Sequence, residues 1–158
     1  GEIHVKGANV FLGYFKNEEA TREVFTDDGW FRTGDMGVID SDGSLFIKGR
    51  NKCMILGPSG QNIYPEEIET TINSQPYVVD SLVIEDNGGL TALIYPDFQQ
   101  GMKDGMNQEE FVKFMEGTLS ELNKELPNYA KLKKIEVMSE DFERTPKKSI
   151  KRYLYQRN

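Results

Sequence analysis

The stretch Gly49–Glu69, GRNKCMILGPSGQNIYPEEIE, decides how the chain divides, because its character changes part-way along. Two cations, Arg50 and Lys52, stand at the end of one apolar run and before the start of another, and they are framed by Gly49 and Gly57. Such a joint suits a boundary beside a charged ligand. On its N-terminal side short apolar runs alternate with turns, and ten of the fifteen glycines fall in the first 60 residues, which predicts a β-rich segment. Asp40–Gly43 separates two candidate strands in VIDSDGSLFIKG, and Ile3 and Val5 alternate in GEIHVKG. On its C-terminal side Pro65 in a first turn, acids at Glu66 and Glu67, and Ile68 and Ile72 on one face predict a helix over 65–74.

Beyond that helix, SLVIED and LTALIYP are predicted strands joined by Asp86-Asn87-Gly88-Gly89, residues that tolerate the positive φ of a tight hairpin. Asn107 is placed to cap a helix with Glu110 at its third position. Phe111, Phe114, Met115, Thr118, Leu119, Leu122 and Leu126 then recur at helical spacing up to Pro127, as a core stripe. A strand around KIEVMS precedes RTPKKSIKRYLYQRN, which holds six basic residues and no acidic one. The order βαββαβ after Lys52 predicts an α+β fold: a small C-terminal α/β domain, with a three-stranded sheet plus β-hairpin and flanking helices, preceded by the β-rich end of a larger unit. The expected division is 1–49, a joint at 50–52, and 53–158.

A net charge of −7 lacks the electropositive footprint of a general nucleic-acid binder, and 37% hydrophobic residues is ordinary for a globular protein. One cysteine, Cys53, excludes an intrachain disulfide and fits a reducing compartment, so the cytoplasm is the expected location. No apolar run approaches the ~20 residues of a membrane span, and nothing resembles a signal peptide. The opening GEIHVKG reads as a piece of something longer.

Several residues bear chemistry. Asp35, in GWFRTGD, either caps a turn or offers two acceptor oxygens to adjacent hydroxyls such as a ribose diol. Arg50 is either a solvated strand end or a guanidinium fork for phosphate or ribose oxygens. Lys52 is a phosphate ligand, a surface charge or a pivot. Gly57-Pro58-Ser59-Gly60 is a turn between strands or a place where a thin ligand passes close to the backbone, and it lacks the phosphate-cradling P-loop pattern. The basic tail is a solvated end, or it delivers Lys147, Lys148 or Lys151 to developing negative charge on a phosphoryl or acyl group. His4, Trp30 and Cys53 read as packing residues, and metal-ligand spacing is absent.

Taken in order, GEIHVKGANVFLGYFKNEEATREVF, DGWFRTGD and DSDGSLFIKGRNKCMILGPSGQNIYPEEIE resemble the C-terminal part of the AMP-forming acyl-CoA synthetases, the superfamily that includes adenylation domains and luciferase. The resemblance covers essentially the whole chain and is most like the bacterial long-chain fatty acid–CoA ligases. It implies ATP, Mg2+ held by a ligand upstream of this chain, and CoA. It also implies a fatty acid or other carboxylate substrate, and the chain's own N-terminal adenylation domain as partner. Peripheral contact with a membrane is compatible with a lipid substrate.

By the same resemblance Asp35 would hold the ribose hydroxyls of AMP and Arg50 would contact ribose or phosphate. Lys52 would be the hinge, and Ser59 and Gly60 would border the pantetheine channel after rotation. The alternatives are an adenylation domain loading a carrier-protein thiol and a noncatalytic nucleotide-binding module. One departure stands out. Aligning Thr145-Pro146 and Ile150-Lys151-Arg152 with the family's TP..GK(I/V).R puts Ser149 at the adenylation lysine and Lys148 at the preceding glycine. Lys148 is then the first candidate for the missing cation, ahead of Lys147 and Lys151, and the chain alone is expected to lack turnover.

Overall fold

A computed structural model describes residues 1–157, and the chain forms two units, Gly1–Met54 and Ile55–Asn158. In the first, strands β1 (Glu2–Val5), β2 (Phe31–Ile39) and β3 (Leu45–Arg50) make an antiparallel sheet in that order. The β2–β3 turn forms because Asp40 Oδ1 accepts the amides of Asp42 and Ser44, at 3.0 and 2.8 Å, while Gly43 supplies a φ of +83°. A helix that the β-rich reading did not anticipate, α1 (Glu18–Val24), interrupts the strands. Its cap is Asn17, whose side chain accepts from the amide of Ala20. Phe11 sits 5.1–5.6 Å from the rings of Tyr14, Phe25 and Phe31, an aromatic cluster that does the work of a core in this short unit.

The second unit starts with a two-strand ribbon, β4 (Ile55–Leu56) and β5 (Asn62–Ile63), followed by α2 (Pro65–Asn73). Strands β6 (Val78–Asp86) and β7 (Gly89–Pro96) pair antiparallel, and β8 (Leu132–Val137) joins β7 in parallel, so β6 is an edge strand of the order β6-β7-β8. The hairpin forms where the sequence predicts it: Asn87 and Gly88 adopt φ of +50° and +68°, which closes a two-residue loop with Asp86 opposite Gly89.

Between β7 and β8 lie α3 (Phe98–Lys103), α4 (Gln108–Gly117) and α5 (Leu119–Glu125). The predicted capping box is present, with Asn107 and Glu110 each accepting the other's backbone amide at 3.0 Å. The apolar stripe expected as one helix is broken at Thr118, after Gly117, the weakest helix former in the run. The short α3, capped by Asp97, was not expected, because it carries a glycine at 101 and little periodicity.

Each face of the β6-β7-β8 sheet is covered. One carries Ile68, Ile72, Val83, Ala92, Ile94, Phe111, Met115 and Leu122 under the helices. The other carries Leu82, Ile84 and Leu93 under Phe142, with Ile150 and Tyr155 packed against them. The C-terminal segment therefore folds back on the sheet rather than trailing as a solvated end.

Candidate functional site

Asp35 and Arg50 are direct cross-strand neighbours of β2 and β3. Arg50 Nη1 donates to Asp35 Oδ1 at 2.9 Å, and Asp35 Oδ2 meets no donor among the described residues. Thr33 holds the strand in place: its hydroxyl donates to the Ile3 carbonyl at 2.8 Å and accepts the Asp35 amide at 3.0 Å. Gly34 takes a φ of +74°, a backbone state that side chains disfavour, and so aims the next residue out of the sheet's regular alternation. The result is an acceptor pair with one oxygen steered by a guanidinium and the other open. Lys52 lies just past this pair, in the exposed 3-10 turn Asn51–Cys53. Trp30, read as a packing residue, is 40% exposed and lies under the Lys6 ammonium, 5.9 Å from its ring centroid.

In the second unit Ser59 and Gly60 form the tip of the β4–β5 loop. It is closed by Gly57 N–H to the Gln61 carbonyl at 2.8 Å, with Gly60 at φ +81°. Beside the loop is a cavity of about 250 Å3, bordered by Tyr129, Lys131, Lys133, Glu85 and the Gly88–Gly89 turn. Lys131 and Lys133 escaped sequence reasoning because they sit in LKK-type spacing at the start of a strand, with nothing local to mark them. Lys133 Nζ reaches the Gly88 carbonyl at 3.2 Å.

The three tail lysines occupy one hairpin. The Thr145 amide donates to the Ser149 carbonyl and the Lys148 amide to the Thr145 carbonyl, both at 2.8 Å, and Arg144 bridges Ile150. Lys148 has a φ of +64°. It therefore occupies the left-handed position that follows the turn, where glycine is the usual residue. Lys147 and Lys148 are exposed and have no ion pair among the described residues. Lys151 is held by Glu143 at 3.1 Å, whose carboxylate raises its pKa.

The remaining tail cations are held in ion pairs. Arg144 pairs with Asp80 and Asp141, each at 2.9 Å, and Arg157 pairs with Asp86 and Glu136 at 3.0 and 2.7 Å. Arg152 forks onto Glu69 at 2.7 and 2.9 Å. Burial pushes the Glu69 carboxyl up, and the hydrogen bonds and charge of Arg152 and the Val83 amide oppose that shift.

A profile of the AMP-binding enzyme C-terminal domain matches residues 53–158. The chain belongs to this family. A long-chain-fatty-acid–CoA ligase of Mycobacterium tuberculosis is 31% identical over 96% of the chain, which spans 28% of that relative. A 2-succinylbenzoate–CoA ligase of Bacillus cytotoxicus is 40% identical over 76% of the chain, matching 24% of its own length. Among solved structures, O-succinylbenzoate coenzyme A synthetase of Bacillus subtilis in complex with AMP superposes with a TM-score of 0.74 at 30% identity, over 97% of this chain and 29% of that one. The chain thus corresponds to less than a third of the length of these relatives and has the small mixed α/β fold the sequence implies. No helix among the described residues is long and apolar enough to cross a membrane.

Proposed function

We propose that the chain serves as the C-terminal portion of an ATP-dependent, AMP-forming ligase that joins a long-chain fatty acid to CoA. The observation that carries the reading is the cross-strand pair: Arg50 Nη1 holds Asp35 Oδ1 at 2.9 Å and leaves the second carboxylate oxygen to accept from a ligand. In the first half-reaction the acid's carboxylate oxygen attacks the α-phosphorus of ATP and pyrophosphate leaves. Asp35 accepts the ribose hydroxyls, and Arg50 turns from its carboxylate partner toward the ribose and phosphate. A lysine of the 147–148 hairpin neutralises charge building on the α-phosphoryl group, a term worth orders of magnitude in rate.

In the second half-reaction the thiol attacks the acyl carbon and AMP leaves. The second unit swings about Lys52, withdrawing the hairpin and presenting the Ser59–Gly60 loop, with Lys131 and Lys133 as cations for CoA phosphates. Among the described residues no group of three His, Cys, Asp or Glu is placed to hold a metal.

The test is pyrophosphate release by the full-length polypeptide with acids of increasing chain length, with and without CoA. Asp35→Ala removes charged hydrogen bonds to the ribose, and the expected rise in ATP KM is about tenfold to a hundredfold. Ser149→Lys and Lys148→Ala locate the working cation. Release with short or aromatic acids alone would overturn the fatty-acid assignment, and an unchanged KM in Asp35→Ala would overturn the role given to the cross-strand pair.

A further inference from the structure

The C-terminal segment is tied along the edge of β6 by three arginines, at Asp80, Val83 and Asp86, that is, at three-residue intervals. The middle tie differs from the others in burial and in what it satisfies. Glu69, on α2, is 8% exposed. Its Oε1 accepts the Val83 amide at 2.7 Å, while Arg152 Nη2 donates to the Val83 carbonyl at 3.3 Å and the two side chains bond each other twice. Val83 lies on a strand with no neighbour on that side, so carboxylate and guanidinium together take the place that a fourth strand would fill. A buried carboxylate with every partner matched in this way fixes geometry as well as charge.

Arg152 stands four residues after Lys148, and Arg144 stands four before it. The stem entering the lysine hairpin is fixed by Arg144 to Asp80 and Asp141, and the stem leaving it by Arg152 to Glu69. Lys147 and Lys148 project between two fixed points. We propose that Glu69 is a positioning residue for the adenylation half-reaction: through Arg152 it sets where the hairpin lysines reach, without itself touching substrate. The proposal rests on the ligase reading given above. The Ser59–Gly60 loop lies at the other end of β6, beside Glu85 and Gly88, so thiol transfer does not depend on the aim of the hairpin. Displacement of a catalytic group by about 1 Å costs on the order of a hundredfold in rate.

The experiment uses the full-length polypeptide and measures two rates, acid-dependent pyrophosphate release and transfer of a supplied acyl-adenylate to CoA. Glu69→Gln keeps the shape and an acceptor for Arg152 and removes the charge. The expected result is a fall of about tenfold or more in the kcat of pyrophosphate release, with transfer within about twofold of the parent. Their ratio is independent of how much protein is folded. Where Glu69→Gln leaves too little folded protein, Arg152→Lys keeps the charge and stem but loses the fork, and it should shift the ratio in the same direction. A purely structural pair would lower both rates in proportion, and an unchanged ratio in both variants would overturn the proposal. A parent that releases no pyrophosphate with any acid overturns the ligase reading and this proposal with it, whereas an active parent with an unchanged ratio overturns the proposal alone.

Discussion

Replacing Lys148 by glycine should stabilise the protein, although the change removes a long side chain. Lys148 adopts φ +64°. A left-handed backbone brings Cβ against the following carbonyl at about 1–2 kcal/mol. The extra freedom of glycine in the unfolded chain opposes the gain by about 0.5–1 kcal/mol. The Lys148 side chain is exposed and makes no ion pair among the described residues, so its loss breaks no charge pair. The net gain is about 0.5–1 kcal/mol. For a unit of roughly 100 residues this corresponds to a rise in Tm of about 2–6 °C. Lys147 is the control, since its φ is not positive: Lys147→Gly should lower Tm by a similar amount. Thermal unfolding followed by circular dichroism at one salt concentration gives both values. Equal shifts of the same sign in the two variants would refute the left-handed assignment at 148, and with it the structural basis for reading Lys148 as the residue at the family's glycine.

Three further outcomes follow from the packing and charges. Glu136 is held at about 2, well below its ordinary 4.5, by hydrogen bonds from Arg157 and then Lys134. A depressed carboxylate stabilises fully above pH 4.5 and loses that contribution as pH falls toward 2. The shift is equivalent to about 3 kcal/mol by linkage, and screening of the partly exposed pair brings it to about 1 kcal/mol, the larger part of which Arg157→Ala should remove in an acid titration of stability, Lys134 keeping the rest. Gly101→Ala should destabilise despite alanine's better helix propensity, because a Cβ there would lie 2.5 Å from the Phe111 ring, itself wedged between Tyr77 and Phe98. Overpacking of about 1–3 kcal/mol outweighs a propensity gain of about 1 kcal/mol, and a raised urea midpoint would contradict this. Asn107→Ala removes one arm of the capping box and should lower stability by about 1 kcal/mol, measured by the same urea titration.

What the sequence made legible was local. The Asn87–Gly88 turn, the Asn107–Glu110 cap and the Pro65 helix start each depend on a few adjacent residues whose conformational preferences survive any tertiary context. Asp35 and Arg50 were readable as candidates from their glycine-framed motifs, but their facing register required the pairing of β2 with β3. Residues distant in the chain were not readable. Glu69 and Arg152 are 83 positions apart, and nothing near either one marks a buried fork. The basic tail illustrates the limit: six cations without an acid look solvated, because the acids that hold its three arginines, Asp80, Asp86, Glu136 and Glu69, lie far upstream in other elements. Helix α3 was missed for another reason, since the contact of Gly101 with Phe111 turns a poor helix former into a required one.

On the proposed ligase reading, two tools placed on one strand let a rigid domain serve two reactions. The lysine hairpin is tied to β6 at Asp80 and Val83, and the Ser59–Gly60 loop lies beside Glu85 and Gly88. From Asp80 to Glu85 is five residues, or about 17 Å of extended strand. Adenylation calls for a cation at the phosphate, and thiol attack calls for that cation's absence and an open path to the acyl carbon. A flexible loop alternating between these tasks would lose positional accuracy in both. Mounting each tool at its own end of a sheet packed on both faces keeps each accurate, because the sheet moves as one body and nothing within it need deform. On that proposed reading the conformational freedom is confined to the few backbone angles around Lys52. On this reading, substitutions at Lys52 should change the exchange between the two half-reactions and leave the geometry of each intact, whereas substitutions at Glu69 should do the reverse.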